Sequence, residues 1–290
     1  MKVDLETLLN WEIPEVRETL EDRDLILYAL GVGLGQDPLD PQELRYTWEE
    51  GLAMLPSMAS VLAHPGLWMA DERLGIDWRR LLHGEQGVRI HGSLPTSGSL
   101  IGTSRVTDIV DRGADKGLLI YQAREIHDEA GRHLATATIT TFARGDGGCG
   151  GPRGSTPRPT PTPHALPERA PDRRVAQATP PQLHLIYRLL GDRHPVHVDP
   201  AFARSLGFDG PILAGLCSYG IACHALLKTV CPDPGRLVAL DARFSAPAYP
   251  GEATVTEIWD QGAGIHGFRL RAAERGAVII DNGRAEVAPG

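Results

Sequence analysis

A break in the middle of this chain constrains its fold more than any other feature. From Gly145 to Pro181 the sequence reads GDGGCGGPRGSTPRPTPTPHALPERAPDRRVAQATPP, with nine prolines between Pro152 and Pro181. Proline lacks a backbone donor and glycine favours turns, so neither a helix nor a central strand persists through such a stretch. The composition predicts an extended connector, partly of polyproline type. The 290 residues then divide into an N-terminal unit over 1–150, a proline-rich linker over 151–180 and a C-terminal unit over 181–290. Together they have ample length to bury a core.

Each part begins with helical patterning and ends with strands. In the first, residues 22–34 (DRDLILYALGVGL) read as a short apolar helix. Strand-like runs follow over 87–94, 100–110, 117–127 and 133–142, the last two separated by the turn Asp128-Glu129-Ala130-Gly131. In the second, Thr179 is the expected N-cap and Pro180 the first helical residue. Leu183, Ile186, Tyr187 and Leu190 repeat at helical spacing until Gly191. Asp199-Pro200 opens another short helix that Gly207 closes. A longer apolar helix is expected over 215–230, then strands over 237–245, 253–259, 264–273 and 277–287. The first part shows no helix of comparable length after its first turns, with the stretch 41–62 left open.

Bulk properties narrow the function. The net charge is −8, so the chain gains nothing from counterion release on nucleic acid. A local basic patch can still bind phosphates. Cys149, Cys217, Cys223 and Cys231 form no C-x-x-C pair, and three of them fall in or just after the long apolar helix, as small buried residues do. The beginning, MKVDLETLLNWEIPE, has acidic residues where a secretory leader has basic ones. No apolar run reaches the length of a membrane span. A cytoplasmic protein without membrane or nucleic-acid partners is the expectation.

The chemistry concentrates in residues 187–220, YRLLGDRHPVHVDPAFARSLGFDGPILAGLCSYG. Asp192 and His197 share a short irregular loop between two helices, where catalytic groups are commonly held. A carboxylate and an imidazole are a competent acid/base pair near neutral pH. Gly210-Pro211-Ile212-Leu213-Ala214-Gly215 then turns into the long helix. The unpaired amides of a helix start carry partial positive charge, and Gly215 lets a ligand approach that backbone closely. Such a site stabilises an oxyanion. A metal reading of Asp192, His194, His197 and Asp199 is weak: H-P-V-H matches no common zinc spacing, and Asp199 is better used as a helix cap.

These residues resemble the signature of the MaoC-like (R)-specific 2-enoyl-CoA hydratases, the hydratase 2 region of peroxisomal multifunctional enzyme type 2. The pattern is Y-R-L-x-G-D-x-N-P-L-H-x-D-P followed by G-F-x-x-P-I-L-H-G-L-C. Further motifs follow in order: LYALGVGL at 27–34, LHGEQ at 82–86, Leu94-Pro95, Asp111-Arg112-Gly113, RGDGGCGG at 144–151 and ARFSAPAYP at 242–250. The resemblance covers nearly the whole chain. It implies an α+β double hotdog: two fused units, each an antiparallel sheet, the second wrapped around a long central helix. The first has lost much of that helix, which leaves room for a bulky acyl chain.

The implied reaction, within fatty acid β-oxidation chemistry, is reversible syn addition of water to a trans-2-enoyl-CoA, giving a (3R)-3-hydroxyacyl-CoA. Asp192 and His197 are the implied catalytic pair, their two roles interchangeable at this point. Gly215 would offer its N–H to the thioester oxygen. His83, Gly84, Arg112, His194 and Phe244 match positions that line the acyl-CoA site. No cofactor or metal is implied, and the family is typically homodimeric. The sequence departs from the pattern at four places: Arg112 for Lys, His194 for Asn, Ala214 for His and Cys149 for Phe. Two alternatives remain at this stage: a (3R)-3-hydroxyacyl-thioester dehydratase acting on another acyl class, and a noncatalytic acyl-CoA-binding protein. A hotdog thioesterase would usually carry a carboxylate on the central helix, and AGLCSYGIACHALL has none.

Overall fold

The computed structural model describes residues 3–150 and 164–290. The first half supplies β1 (Val16–Leu20), β2 (Leu81–Ile90), β3 (Gly98–Asp111), β4 (Leu118–Asp128) and β5 (His133–Ala143). The second supplies β6 (Arg173–Gln177), β7 (Leu237–Phe244), β8 (Thr254–Asp260), β9 (Ile265–Ala272) and β10 (Val278–Val287). All ten join one sheet in the order β1-β3-β4-β5-β2-β7-β10-β9-β8-β6. Read from each outer edge to the middle, the two halves have the same topology. The chain is a double hotdog, and its two units meet at the antiparallel β2–β7 pair.

That seam is fixed by complementary side chains. Glu85 lies opposite Arg243 and Gly87 opposite Asp241. The Arg243 guanidinium donates to Glu85 at 2.7 Å, and Arg89 grips both oxygens of Asp241 at 2.9 and 2.7 Å. Two-pronged contacts of this kind hold planar groups in one orientation and so fix register. Gly87 is needed there, because a methyl group would sit 2.7 Å from the Asp241 carboxylate.

The second unit wraps α6 (Gly215–Thr229), in which every residue from Cys217 to Leu227 is buried. A helix that is apolar on all faces belongs inside a core. In the first unit the helical pieces are shorter: α2 (Asp22–Gly31), α3 (Pro41–Thr47) and a 3-10 turn at Pro56–Ser60. One continuous cluster, from Leu25 and Met58 to Cys223 and Phe268, joins both units. A smaller one lies under α1 (Leu5–Leu9) and contains Leu8, Met69, Leu74 and Ile120.

Three expectations need correction. β2 begins at Leu81, six residues before the expected start at 87. Its in-out alternation breaks between His83 and Glu85 at a bulge, so the run does not read as one strand. Part of the supposed linker is structured: β6 pairs with β8, which brings the start of the second unit forward to Arg173. An edge strand needs hydrogen bonds on one side alone, so a short polar segment beside prolines suffices. The expected connector over 151–163 lies outside the described residues. Thr179 does not cap a helix. Its hydroxyl donates to the Glu252 carbonyl at 2.8 Å, and α4 (Leu183–Tyr187) starts after Gln182.

Candidate active site

The loop after α4 is pinned at both ends by its own sequence. Gly191 adopts φ 113°, a conformation favoured by glycine, and turns the chain out of the 3-10 turn Arg188–Leu190. At the far end Asp199 caps α5 (Pro200–Ser205), accepting from the amides of Ala201 and Phe202 at 2.8 and 3.2 Å. Between these anchors Pro195–His197 forms a single 3-10 turn.

This geometry brings Asp192 and His197 together. His197 Nδ1–H donates to the Ile212 carbonyl at 2.9 Å, which leaves Nε2 facing Asp192 Oδ2 at 3.3 Å. Asp192 Oδ1 accepts from the His194 amide at 3.2 Å. The His197 side chain is 11 % exposed and that of Asp192 38 %, so the carboxylate is the accessible edge of the pair. Burial works against a charge on either group. The mutual hydrogen bond and charge attraction outweigh it, holding the Asp192 carboxyl down at about 2 and raising His197 above the ordinary histidine range. The two shifts run in the directions an ion pair requires, towards carboxylate on Asp192 and towards imidazolium on His197.

His194 lies against this pair. Its Nδ1 accepts from the Val196 amide at 3.3 Å, and burial keeps the ring neutral by lowering its pKa. The remaining proton then sits on Nε2, a buried atom without a partner among the described residues. The ring is held edge-on by Trp78 and Phe202, with centroids 5.9 and 5.6 Å away.

Gly215 is the first residue of α6. The Ala214 carbonyl accepts from the amides of Cys217 and Ser218, whereas the Gly215 N–H points out of the helix start, where amides have no intrahelical partner. Phe244 lies across it: a methyl group at Gly215 would meet the ring at 3.2–3.3 Å. Phe244 packs edge-to-face on His83 at 4.8 Å between centroids. His83 hydrogen-bonds to the Glu85 carbonyl at 3.2 Å. Burial brings its pKa down to about 4, against the nearby charge of Asp192. Gly84 occupies the β2 bulge, where a methyl group would stand 3.1 Å from the Thr140 carbonyl. Asp192, His194, His197, Gly215, Phe244, His83 and Gly84 thus belong to one region at the seam of the two units.

Arg112 stands apart. It lies in the β3–β4 turn, exposed, and its side chain makes no hydrogen bond or ion pair to a described residue. Its neighbour Asp111 is buried and accepts from the amides of Gly113, Gly148, Cys149 and Gly150 at 2.7–3.1 Å. Although burial opposes the charge, those four donors lower its pKa. The glycine-rich motif is therefore a clamp on Asp111. Sequence reasoning missed Trp78, Phe202 and the Ile212 carbonyl as partners of the loop. No local pattern marks them, because each reaches the site through tertiary folding.

All four cysteines are free. Among the described residues no group of three or more His, Cys, Asp or Glu side chains is disposed to hold a metal. No described helix is long and apolar enough to cross a membrane.

Comparison with known proteins places this architecture. Residues 19–145 match the MFE-2 hydratase 2 N-terminal domain and residues 163–282 the MaoC like domain. The chain belongs to the MaoC-like enoyl-CoA hydratase 2 family, whose members are hydro-lyases. It is 36% identical over 285 residues to the enoyl-CoA hydratase ChsH3 of Mycobacterium tuberculosis, covering 97% of both chains. It is 34% identical over 288 residues to the peroxisomal enoyl-CoA hydratase 2 of Arabidopsis thaliana, covering 94% of this chain and 92% of that one. Among solved structures, the MaoC-like dehydratase of Phytophthora capsici superposes with a TM-score of 0.86 at 33% identity, over 99% of this chain and all of that one.

Proposed function

We propose that this protein catalyses reversible syn hydration of trans-2-enoyl-CoA to (3R)-3-hydroxyacyl-CoA. The observation that carries the reading is the Asp192–His197 pair at 3.3 Å, beside the free first amide of α6. Asp192, ionised and the more exposed partner, takes a proton from water as its oxygen attacks C3. His197, protonated and held by the Ile212 carbonyl, delivers a proton to C2. Both groups lie on one loop, so both atoms add to the same face of the double bond. The Gly215 N–H meets the thioester oxygen as it acquires enolate charge, where a positioned donor has most effect. The Nε2–H of His194 is oriented to hold the attacking water, a task the family pattern gives to Asn. His83, Gly84 and Phe244 wall the acyl group, and Arg112 supplies positive charge for the CoA phosphates, its guanidinium differing in geometry from a lysine. The reading requires no cofactor or metal. We further propose that the protein is cytoplasmic and homodimeric and acts in fatty acid β-oxidation.

The test is loss of the enoyl absorbance of crotonyl-CoA and of longer trans-2-enoyl-CoAs. Asp192→Asn and His197→Gln should each slow it by about 10²–10⁴-fold with an unchanged circular dichroism spectrum. A wild-type protein that binds acyl-CoA without turnover would instead establish a noncatalytic acyl-CoA-binding protein.

A further inference from the structure

The inner face of the first unit's sheet is not uniformly apolar. Cross-strand pairing sorts its residues into rows. Ile90, Ala135 and Ile126 form one row, within or packed against the main core. The next contains Val88, Ala137, Arg124 and Ser104, and the one after it Gln86, Ile139, Gln122 and Val106. The following row contains His83, Thr141 and Ile120, and His83 packs on Phe244 in the active site. Gln86, Gln122 and Arg124 are 4, 6 and 7 % exposed. A polar strip therefore runs from His83 under the short helical pieces of this unit.

Its hydrogen-bonding capacity is partly unused, although Gln86 Nε2 donates to the Gly87 carbonyl at 3.0 Å. Arg124 Nη2 donates to the Ser60 carbonyl at 2.6 Å, while Nε is buried without a partner. No carboxylate lies within ion-pair distance of it among the described residues. The charge it feels most is that of Glu18, which is already engaged by the Ala63 amide. The Gln122 amide makes no side-chain hydrogen bond to a described residue. A buried cation with no carboxylate partner is costly unless one arrives. From the His83 row to the Arg124 row is four residues along β5, roughly 13 Å, and β2 to β4 is two strand spacings, roughly 10 Å. The strip thus ends well beyond the reacting carbons, at the depth of an acyl tail.

We propose that Arg124, with Gln122, forms a subsite for a carboxylate at the far end of the acyl group, so that the preferred substrates are ω-carboxyacyl thioesters. This rests on the hydratase reading for its chemistry but not for its binding. The experiment compares trans-2-decenoyl-CoA, its ω-carboxy analogue and the ω-methyl ester of that analogue. Wild-type protein should favour the free acid over the plain chain by about tenfold or more in kcat/KM, as expected of a charge-assisted hydrogen bond. Esterification should erase the preference, a control that needs no variant. Arg124→Met should lose the free acid and keep the plain chain, and Gln122→Leu should shift the ratio in the same direction by less. Equal kcat/KM for acid and ester in the wild type overturns the proposal. So does an Arg124→Met protein that loses both substrates alike, because that marks a purely structural arginine on the Ser60 carbonyl. If no enoyl is hydrated, binding of saturated ω-carboxydecanoyl-CoA against decanoyl-CoA, measured by calorimetry, separates the two claims. Tighter binding of the acid then upholds the subsite while the hydratase reading fails, and equal binding ends both.

Discussion

In the second unit α6 fills the concavity of the sheet with fifteen residues, eleven of them buried. In the first, the 3-10 turn Pro56–Ser60 packs five residues against β2 and β5, while α3 packs against α2. Both sheets have the same strand order around the seam, so the difference is in filling and not in framework. The packed unit holds the start of α6 and the loop tied to the segment before it through the Ile212 carbonyl. The thinly filled unit provides the wall, with His83, Gly84 and the polar strip behind them.

Several substitutions would sharpen that contrast or break it. Gly215→Ala has the largest expected effect. Its methyl group must displace the Phe244 ring, and turnover should fall about 10²-fold through the disturbed oxyanion site. Adding Phe244→Leu should recover part of the loss; no recovery would mean that Phe244 is not what confines Gly215. Gly220→Ala tests the contact between the units, because its methyl group would run into Val32 at the end of α2. Overpacking of this kind costs about 1–3 kcal/mol, readable as a lower urea midpoint with an unchanged slope. A neutral result would show that the two units are less tightly joined than the packing implies.

The pH dependence gives a smaller, signed effect. His197 is raised in the folded state, so its contribution to stability is complete below the unfolded pKa, about 6.5, and is lost as pH rises through the folded value. Asp192 is lowered, so its contribution is complete above the unfolded value, about 3.9, and is lost as pH falls towards about 2. The pair is therefore most stabilising between those two unfolded values. Hydration should decline as pH rises through the raised His197 value and the imidazolium is lost. Titrating His197 by NMR in Asp192→Asn should find its pKa at or below the ordinary histidine range, since burial remains and the carboxylate does not. The smallest change expected is from His194→Asn, which replaces one water-holding donor by another: a fall in kcat of a few-fold, about 1 kcal/mol. Unchanged or strongly increased activity would rule out a required role for His194.

Much of the framework was legible beforehand, for local reasons. The last four strands fall within a residue of their expected ends because alternation and turn residues act between near neighbours. Asp199 caps its helix as expected because the cap and its amides are two and three residues apart. The edge strands β1 and β6 left no such signature. Five residues with little burial carry almost no alternation, and only the partner strands make them strands. The same limit applies in the site. Asp192 and His197 could be placed on one loop, and Gly215 at a helix start, from their neighbours in sequence, whereas Trp78 reaches His194 across more than a hundred residues.

Taken alone, the sequence determined two similar units, one long apolar helix and a loop that carries a carboxylate and an imidazole. These follow from propensities, caps and periodicities that operate over a few residues. Tertiary structure decided the β2–β7 register that joins the sheets, the Phe244 ring over Gly215 and the unpaired Arg124 on the inner face. Those depend on which side chains meet after the chain has closed on itself, and spacing along the chain does not encode that meeting.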